Sequence, residues 1–156
     1  KLQCQDSEVS GKIASLLDAL SSKDREIASL KQKLASDSAK ALSAGLQKVD
    51  GISFLAKKLE KGERGDLLRL GDNLKGKEKD YFFFFAGKGE KGVSLLIQAG
   101  GEGAKKLPAG KAMKQVAPIL GGNGGGKDEM ASGSGKSLEG FDQAASLLKS
   151  QLQGKE

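Results

Sequence analysis

LGGNGGGKDEMASGSG, running from Leu120 to Gly135, is the stretch on which the reading of this chain turns. Seven of its sixteen residues are glycine. Inside a regular element each glycine costs roughly 0.5–1 kcal/mol against alanine. Such a cluster is therefore either a linker or a place where bare backbone must approach something closely. Both flanks pattern as helices. Before it, Lys111 to Leu120 sets Met113, Val116, Ala117 and Leu120 inward, with Pro118 bending the end. After it, Ser137 is expected to cap a last helix whose inward residues are Leu138, Phe141, Ala145, Leu148 and Leu152.

Three readings of the segment compete. A nucleotide-binding loop of the form G-x-x-x-x-G-K-[ST] is approached twice. Gly121 to Lys127 is followed by Asp128 where a hydroxyl must meet Mg²⁺, and the frame ending Gly135-Lys136-Ser137 begins with Met130 instead of glycine. Both frames fail at a position the chemistry requires. A plain linker is disfavoured because Lys127, Asp128, Glu129 and Met130 interrupt the glycines and the last helix must return to a core. The third reading is an anion-binding backbone surface, in which successive N–H groups and a helix start accept phosphate oxygens. On it, Gly121, Gly122, Gly124, Gly125, Gly126, Gly133, Ser134 and Gly135 give close approach, while Lys127 and Lys136 neutralise phosphates. Lys105, Lys106, Lys111 and Lys114 lie just upstream.

Upstream, YFFFFA (Tyr81–Ala86) and VSLLI (Val93–Ile97), separated by a glycine-punctuated turn, read as a β-hairpin buried on both faces. Aromatic strands serve some RNA binders as stacking platforms. Four consecutive Phe residues alternate between faces, however, and a sheet covered by helices absorbs them all; the core reading is preferred. ISFLAKKL (Ile52–Leu59), after the break at Asp50-Gly51, reads as the first strand of this unit. Residues 66–75 read as a short helix capped by Asp66, with Leu67, Leu70 and Leu74 on one side.

Residues 6–35 carry a heptad, with Ile13, Leu20, Ile27 and Leu34 at a, Val9, Leu16 and Leu30 at d, and Lys23 breaking the seam. Lys12, Asp18, Asp24, Arg25, Lys31 and Lys33 suit solvent. Residues 35–50 loosen into a frayed continuation. The expected fold class is α/β: a long coiled-coil-like helix followed by a small sheet packed with helices. The expected division is a helical arm over 1–49 and a glycine-rich α/β domain over 50–156.

The chain has 156 residues and starts at Lys1, which suggests a piece of a longer protein. No apolar run approaches the 20 residues of a membrane span, and no membrane partner is expected. A single cysteine, Cys4, allows no internal disulfide and fits a reducing, intracellular home; the expected compartment is the cytoplasm, with an organellar copy as the alternative. Histidine is absent, which removes His-based catalysis and almost every zinc site. No cofactor, metal or catalytic residue is expected. The net charge is +6, from 23 lysines and three arginines (Arg25, Arg64, Arg69) against 20 carboxylates. Lysine is a flexible point charge, so a nucleic-acid partner would be held by phosphate and shape more than by sequence.

Val116 to Gly135 resembles the C-terminal domain of alanyl-tRNA synthetases, the glycine-rich module also attached to DHH-superfamily phosphoesterases. The shared outline is an aliphatic helix, a GG-x-GGG cluster, a basic residue at Lys127, the acidic-Met-Ala step ending Met130-Ala131, and small residues through Gly135. DGISFLAKKLE, the hairpin and the final helix are similar to the rest of the module, and the heptad arm to its helical linker. Lys127-Asp128 stands where the family often has Arg-Pro. The resemblance implies a tRNA-binding module of an ATP-dependent alanine–tRNA ligase, non-catalytic by itself. Its implied partner is the alanine-acceptor tRNA. The heptad adds the expectation of a homodimer through the helical arm, and the alternative reading is a dimerisation or assembly module of the same synthetase with weak or lost nucleic-acid binding.

Overall fold

The computed structural model describes residues 6–154; Cys4 and the side chains of Lys31, Lys33 and Leu34 lie outside the described residues. The chain divides into two compact units, Lys1–Ser38 and Ala39–Glu156.

The first unit is built on helix α1 (Asp6–Ser43). It runs beyond the heptad because the Ala-, Lys- and Leu-containing stretch after it still favours helix. Val9, Ile13, Leu16, Leu20, Ile27 and Leu30 are exposed along it, from 40% at Val9 to 63% at Leu16.

The second unit follows in the order β1 (Gln47–Val49), β2 (Ile52–Leu59), α2 (Arg64–Lys75), β3 (Tyr81–Gly89), β4 (Gly92–Gly100), α3 (Glu102–Lys106), α4 (Ala109–Ile119), β5 (Gly124–Gly126), β6 (Met130–Gly135) and α5 (Phe141–Leu152). The strands form one six-stranded sheet in the order β1-β2-β3-β4-β6-β5. Only β2 and β3 are parallel, as a crossover through α2 requires. The fold is thus α/β, with a helix preceding a helix-covered sheet.

The expected hairpin is β3–β4, paired from Tyr81↔Gly100 to Gly89↔Gly92. Phe82, Phe83, Phe84 and Phe85 are all fully buried. Phe82 and Phe84 face α4 and α5, joining Leu95, Ile97, Met113, Val116 and Leu148. Phe83 and Phe85 face α2, joining Leu55, Leu67, Leu74 and Leu96. Phe84 stacks on Phe141 of α5 at 4.9 Å between ring centres. Removing such a ring from a core costs about 3–5 kcal/mol.

Three local expectations are corrected. Residues 47–49 are not frayed helix but an edge strand, because Asp50 (φ 50°) and Gly51 (φ 82°) make the two-residue turn that returns the chain into β2. Asp66 is not the cap of α2. Glu63 is, and Asp66, three residues in, accepts its amide at 3.1 Å. Ser137 does not cap α5, which starts at Phe141; its hydroxyl accepts the Glu139 amide at 3.2 Å in the preceding turn. The Phe84–Phe141 stack sets the phase of α5, so Ala144 is fully buried while Ala145 and Leu138 are only partly so.

Ser53 on β2 is 1% exposed. Its hydroxyl donates to Glu78 and accepts from Lys48 Nζ at 2.6 Å, while Lys48 reaches Glu78 at 3.1 Å. The Ser53 hydroxyl first, then the Lys48 ammonium, hold the Glu78 carboxyl below the ordinary glutamate range. A carboxyl whose pKa falls on folding contributes stability above its unfolded value and loses it as pH falls through the folded one. Urea unfolding of the wild type is therefore expected to lose more stability on acidification through the carboxylate range than Glu78→Gln does. Parallel pH profiles would remove this group from the acid response.

Candidate nucleic-acid interface

The glycine segment is not an open loop. Gly124-Gly125-Gly126 is β5, Met130 to Gly135 is β6, and together they are a hairpin at the edge of the sheet. β6 is paired on both sides, through Leu96↔Ser132 and Ile97↔Ala131 to β4 and through Gly125↔Ser132 to β5. Alternation along the strands sorts the residues. Ala131 is buried with the α4–α5 core. Ser132 and Ser134 are on the other face, where α2 packs on β3 and β4.

Most of the amides assigned to an anion are used by the chain itself. Gly121 N–H donates to Pro118, Gly122 to Ala117, Lys127 to Met130, Ser134 to Asn123 and Lys136 to Leu120. The hairpin tip is pinned too, since Ala109 and Gly110 at the start of α4 donate to the Asp128 and Lys127 carbonyls. No helix starts beside Ser137 to add donors. Two amides escape this internal pairing. The bonds Lys127→Met130 and Ser134→Asn123 put Gly125 in the hydrogen-bonded position opposite Ser132, so the Gly124 and Gly126 N–H groups point along the outer edge.

The glycines also mostly approach their own chain. A Cβ on Gly124 would lie 2.6 Å from Met113 Cγ and 2.8 Å from Gly133 Cα, and one on Gly135 would lie 2.8 Å from the Leu120 carbonyl oxygen. Gly122, Gly126 and Gly133 are similarly closed by Ser134, Met130 and Asn123. Gly125 differs: nothing lies within 4 Å of its Cβ position.

Lys127 and Lys136 are not brought together. They sit beyond opposite ends of β6, about 17 Å of strand apart. Lys127 lines a concavity of about 580 Å³ with Arg64, Gly125, Gly126, Met130 and Ser132, shared by the carboxylates of Asp128 and Glu129. Lys136 lines a separate one of about 430 Å³ with Lys58, Lys88, Leu59, Val93 and Leu138, shared by the carboxylates of Glu60 and Glu139. Arg64, which the sequence reading did not select, reaches the hairpin concavity from the first residue of α2. Its only sequence signal is that it is one of three arginines among 23 lysines. Among the described residues, no group of His, Cys, Asp and Glu is placed to hold a metal ion. Nor, among them, is any helix long and apolar enough to cross a membrane.

Residues 51–154 match the DHHA1 domain family. The chain belongs to it. It is 35% identical over 156 residues to the alanine–tRNA ligase of Thermoanaerobacter sp., covering 97% of this chain and 18% of that protein. The chain thus spans less than a fifth of the relative's length. It is also similar to the crystal structure of the C-Ala domain from Aquifex aeolicus alanyl-tRNA synthetase, with 28% identity, a TM-score of 0.64, and coverage of 70% of this chain and 98% of that one. RecJ of Thermus thermophilus, 14% identical with a TM-score of 0.58 over 88% of this chain and 20% of that one, shares the fold. This DHHA1 domain is accordingly homologous to the C-terminal domain of alanyl-tRNA synthetases.

The two kinds of glycine separate by substitution. Gly124→Ala drives a methyl into Met113 and Gly133 and is expected to cost about 1–3 kcal/mol. Gly125→Ala is expected to change stability by less than about 0.5 kcal/mol. Thermal unfolding of the two variants checks this, and equal losses would contradict the packing described.

Proposed function

We propose that this chain is the C-terminal, tRNA-binding domain of a cytoplasmic alanine–tRNA ligase, non-catalytic by itself, and that it meets the sugar–phosphate backbone at the β5–β6 hairpin. One observation carries the reading: an uncovered strand face and an unpaired strand edge lie side by side, both glycine, with Lys127 next to them. On this reading Gly125 is where the ligand comes closest. The Gly124 and Gly126 amides and Lys127 meet phosphate oxygens, with Ser134 on the same face. Gly121, Gly122, Gly133 and Gly135 shape the hairpin behind them. Lys136 acts as a second, distant phosphate anchor. The likeness to the Aquifex domain over 98% of its length supports the assignment to this part of a synthetase.

The test is binding of alanine-acceptor tRNA across a salt series. Each lysine that neutralises a phosphate on duplex contributes about 0.9 to the log–log salt slope. Lys127→Ala and Lys136→Ala should each flatten it by about that amount. Sites this far apart add within about 0.5 kcal/mol, so the double variant should lose the sum. Unchanged tRNA affinity in the double variant would remove the assignment.

The exposed stripe on α1 favours a second reading, self-association through the helical arm. Leu16 and Leu20 are 63% and 61% exposed and fall on the expected seam. Sedimentation should then find the wild type dimeric and Leu16→Lys/Leu20→Lys monomeric; the same mass for both would end this reading.

A further inference from the structure

Among the described residues, seven of the eight large apolar side chains exposed to solvent lie on α1, so the apolar surface left uncovered is chiefly that helix. Val9, Ile13, Leu16, Leu20, Ile27 and Leu30 keep the a and d positions of the heptad. Leu17 does not. It follows Leu16 at position e, beside the seam, and is 60% exposed. Lys23 is the reverse case, a charge at a d position, with its ammonium 2.9 Å from the Glu26 carboxylate on the same helix. A partner must accommodate an apolar residue outside the seam and a charge within it. Those two irregularities select both the partner and its direction.

In a parallel, in-register pair each d residue faces its own copy. Lys23 would then meet Lys23 of the second copy, a like-charge contact inside the seam, and Leu17 would flank only Lys12. In an antiparallel pair a faces d, while g flanks g and e flanks e. Setting Leu16 against Leu20 of the second copy also sets Ile27 against Val9 and Ile13 against Lys23, about a two-fold axis at residue 18. That register brings Leu17 beside Leu17 of the second copy. Leu16, Leu17 and Leu20, the three most exposed of the set, therefore surround the axis. It also flanks Lys12 with Glu26 on both sides. The two Lys23 residues are about 15 Å apart along the axis, and each stem can lie along Ile13 while its ammonium stays with Glu26 at the edge. Sliding one heptad on, with Leu20 against Lys23, sets Leu17 beside Asp24 and Lys12 beside Lys33 by their places in the heptad.

Each of these pairings is reciprocal, as an isologous two-fold interface requires, whereas an unrelated helix would impose no such matching within α1 itself. We propose that α1 pairs antiparallel with α1 of a second copy of this chain, centred on Leu16, Leu17 and Leu20, and that Lys23 sets the direction by excluding the parallel pair. A charged residue at one seam position commonly fixes register and orientation at some cost in affinity. The proposal rests on the self-association reading above and adds to it the direction and the register. It is independent of the β5–β6 hairpin.

The experiment is a pulsed-resonance distance measurement between nitroxide labels on the 156-residue chain with Cys4→Ser, carrying either Leu17→Cys or Leu30→Cys, with sedimentation of the same samples. Both side chains are exposed on the helix, at 60% and 53%, so labelling leaves the core of the second unit untouched. A two-chain mass is expected, with a short distance between labels at 17 and about 36 Å between labels at 30. Parallel pairing reverses the order, because residue 30 then faces its own copy while residue 17 lies outside the seam. A distance at 30 as short as that at 17 would overturn the direction proposed and leave self-association standing. A one-chain mass would overturn both and give the apolar stripe to a different helix. Lys23→Leu removes the charge held to exclude the parallel pair. It should tighten the dimer by about tenfold and add a short-distance population at residue 30. Unchanged affinity and unchanged distances in Lys23→Leu would overturn the role given to Lys23.

Discussion

Along its phenylalanine run β3 has no solvent face, and the domain is arranged around that fact. Four phenylalanines in sequence send two rings to each side of the sheet, and all four are fully buried. A strand of this kind demands cover above and below. α2, returning from parallel β2, supplies it on one side, while α4 and α5 supply it on the other. The core is therefore two layers of side chain divided by one strand, with Phe84 stacked on Phe141 as the link to the last helix.

That cover is unequal, and the inequality makes the surfaces. On one face a single helix sits over β3 and β4, leaving the Ser132 and Ser134 side of β6 open. On the other face α4 lies so near β5 and β6 that alanine and glycine are the residues that fit beneath it, with Met113 against Gly124 and Gly133. A groove lined by Lys111 of α4 and Leu147 of α5 lies between those two helices.

The glycine segment shows how one composition serves two ends. Its glycines are needed chiefly because the chain folds against itself, which is a stability requirement. The exceptions are few and local. Gly125 has open space over it, and Gly124 and Gly126 direct amides to an unpaired edge. The surface proposed for a polyanion is thus narrower than seven glycines suggest. It gains Arg64, a planar fork suited to phosphate where lysine offers only a point charge.

The sequence by itself determined the elements whose signal is local. Heptad spacing gave α1, apolar runs gave β2 and the β3–β4 hairpin, and the outline from Val116 to Gly135 gave the family. Inward residues of α4 followed from 3.6-residue periodicity, because that pattern depends only on neighbours in the chain. Tertiary structure alone decided what depended on distant partners. Three glycines with no side chains to alternate carry no strand pattern, and they become β5 only because β6 is there to pair with. The start of α5 answers to Phe84, far away in sequence. Lys127 and Lys136, close in the chain, were separated because the segment between them is an extended strand, and Arg64 was brought to the hairpin because the crossover helix must begin above it.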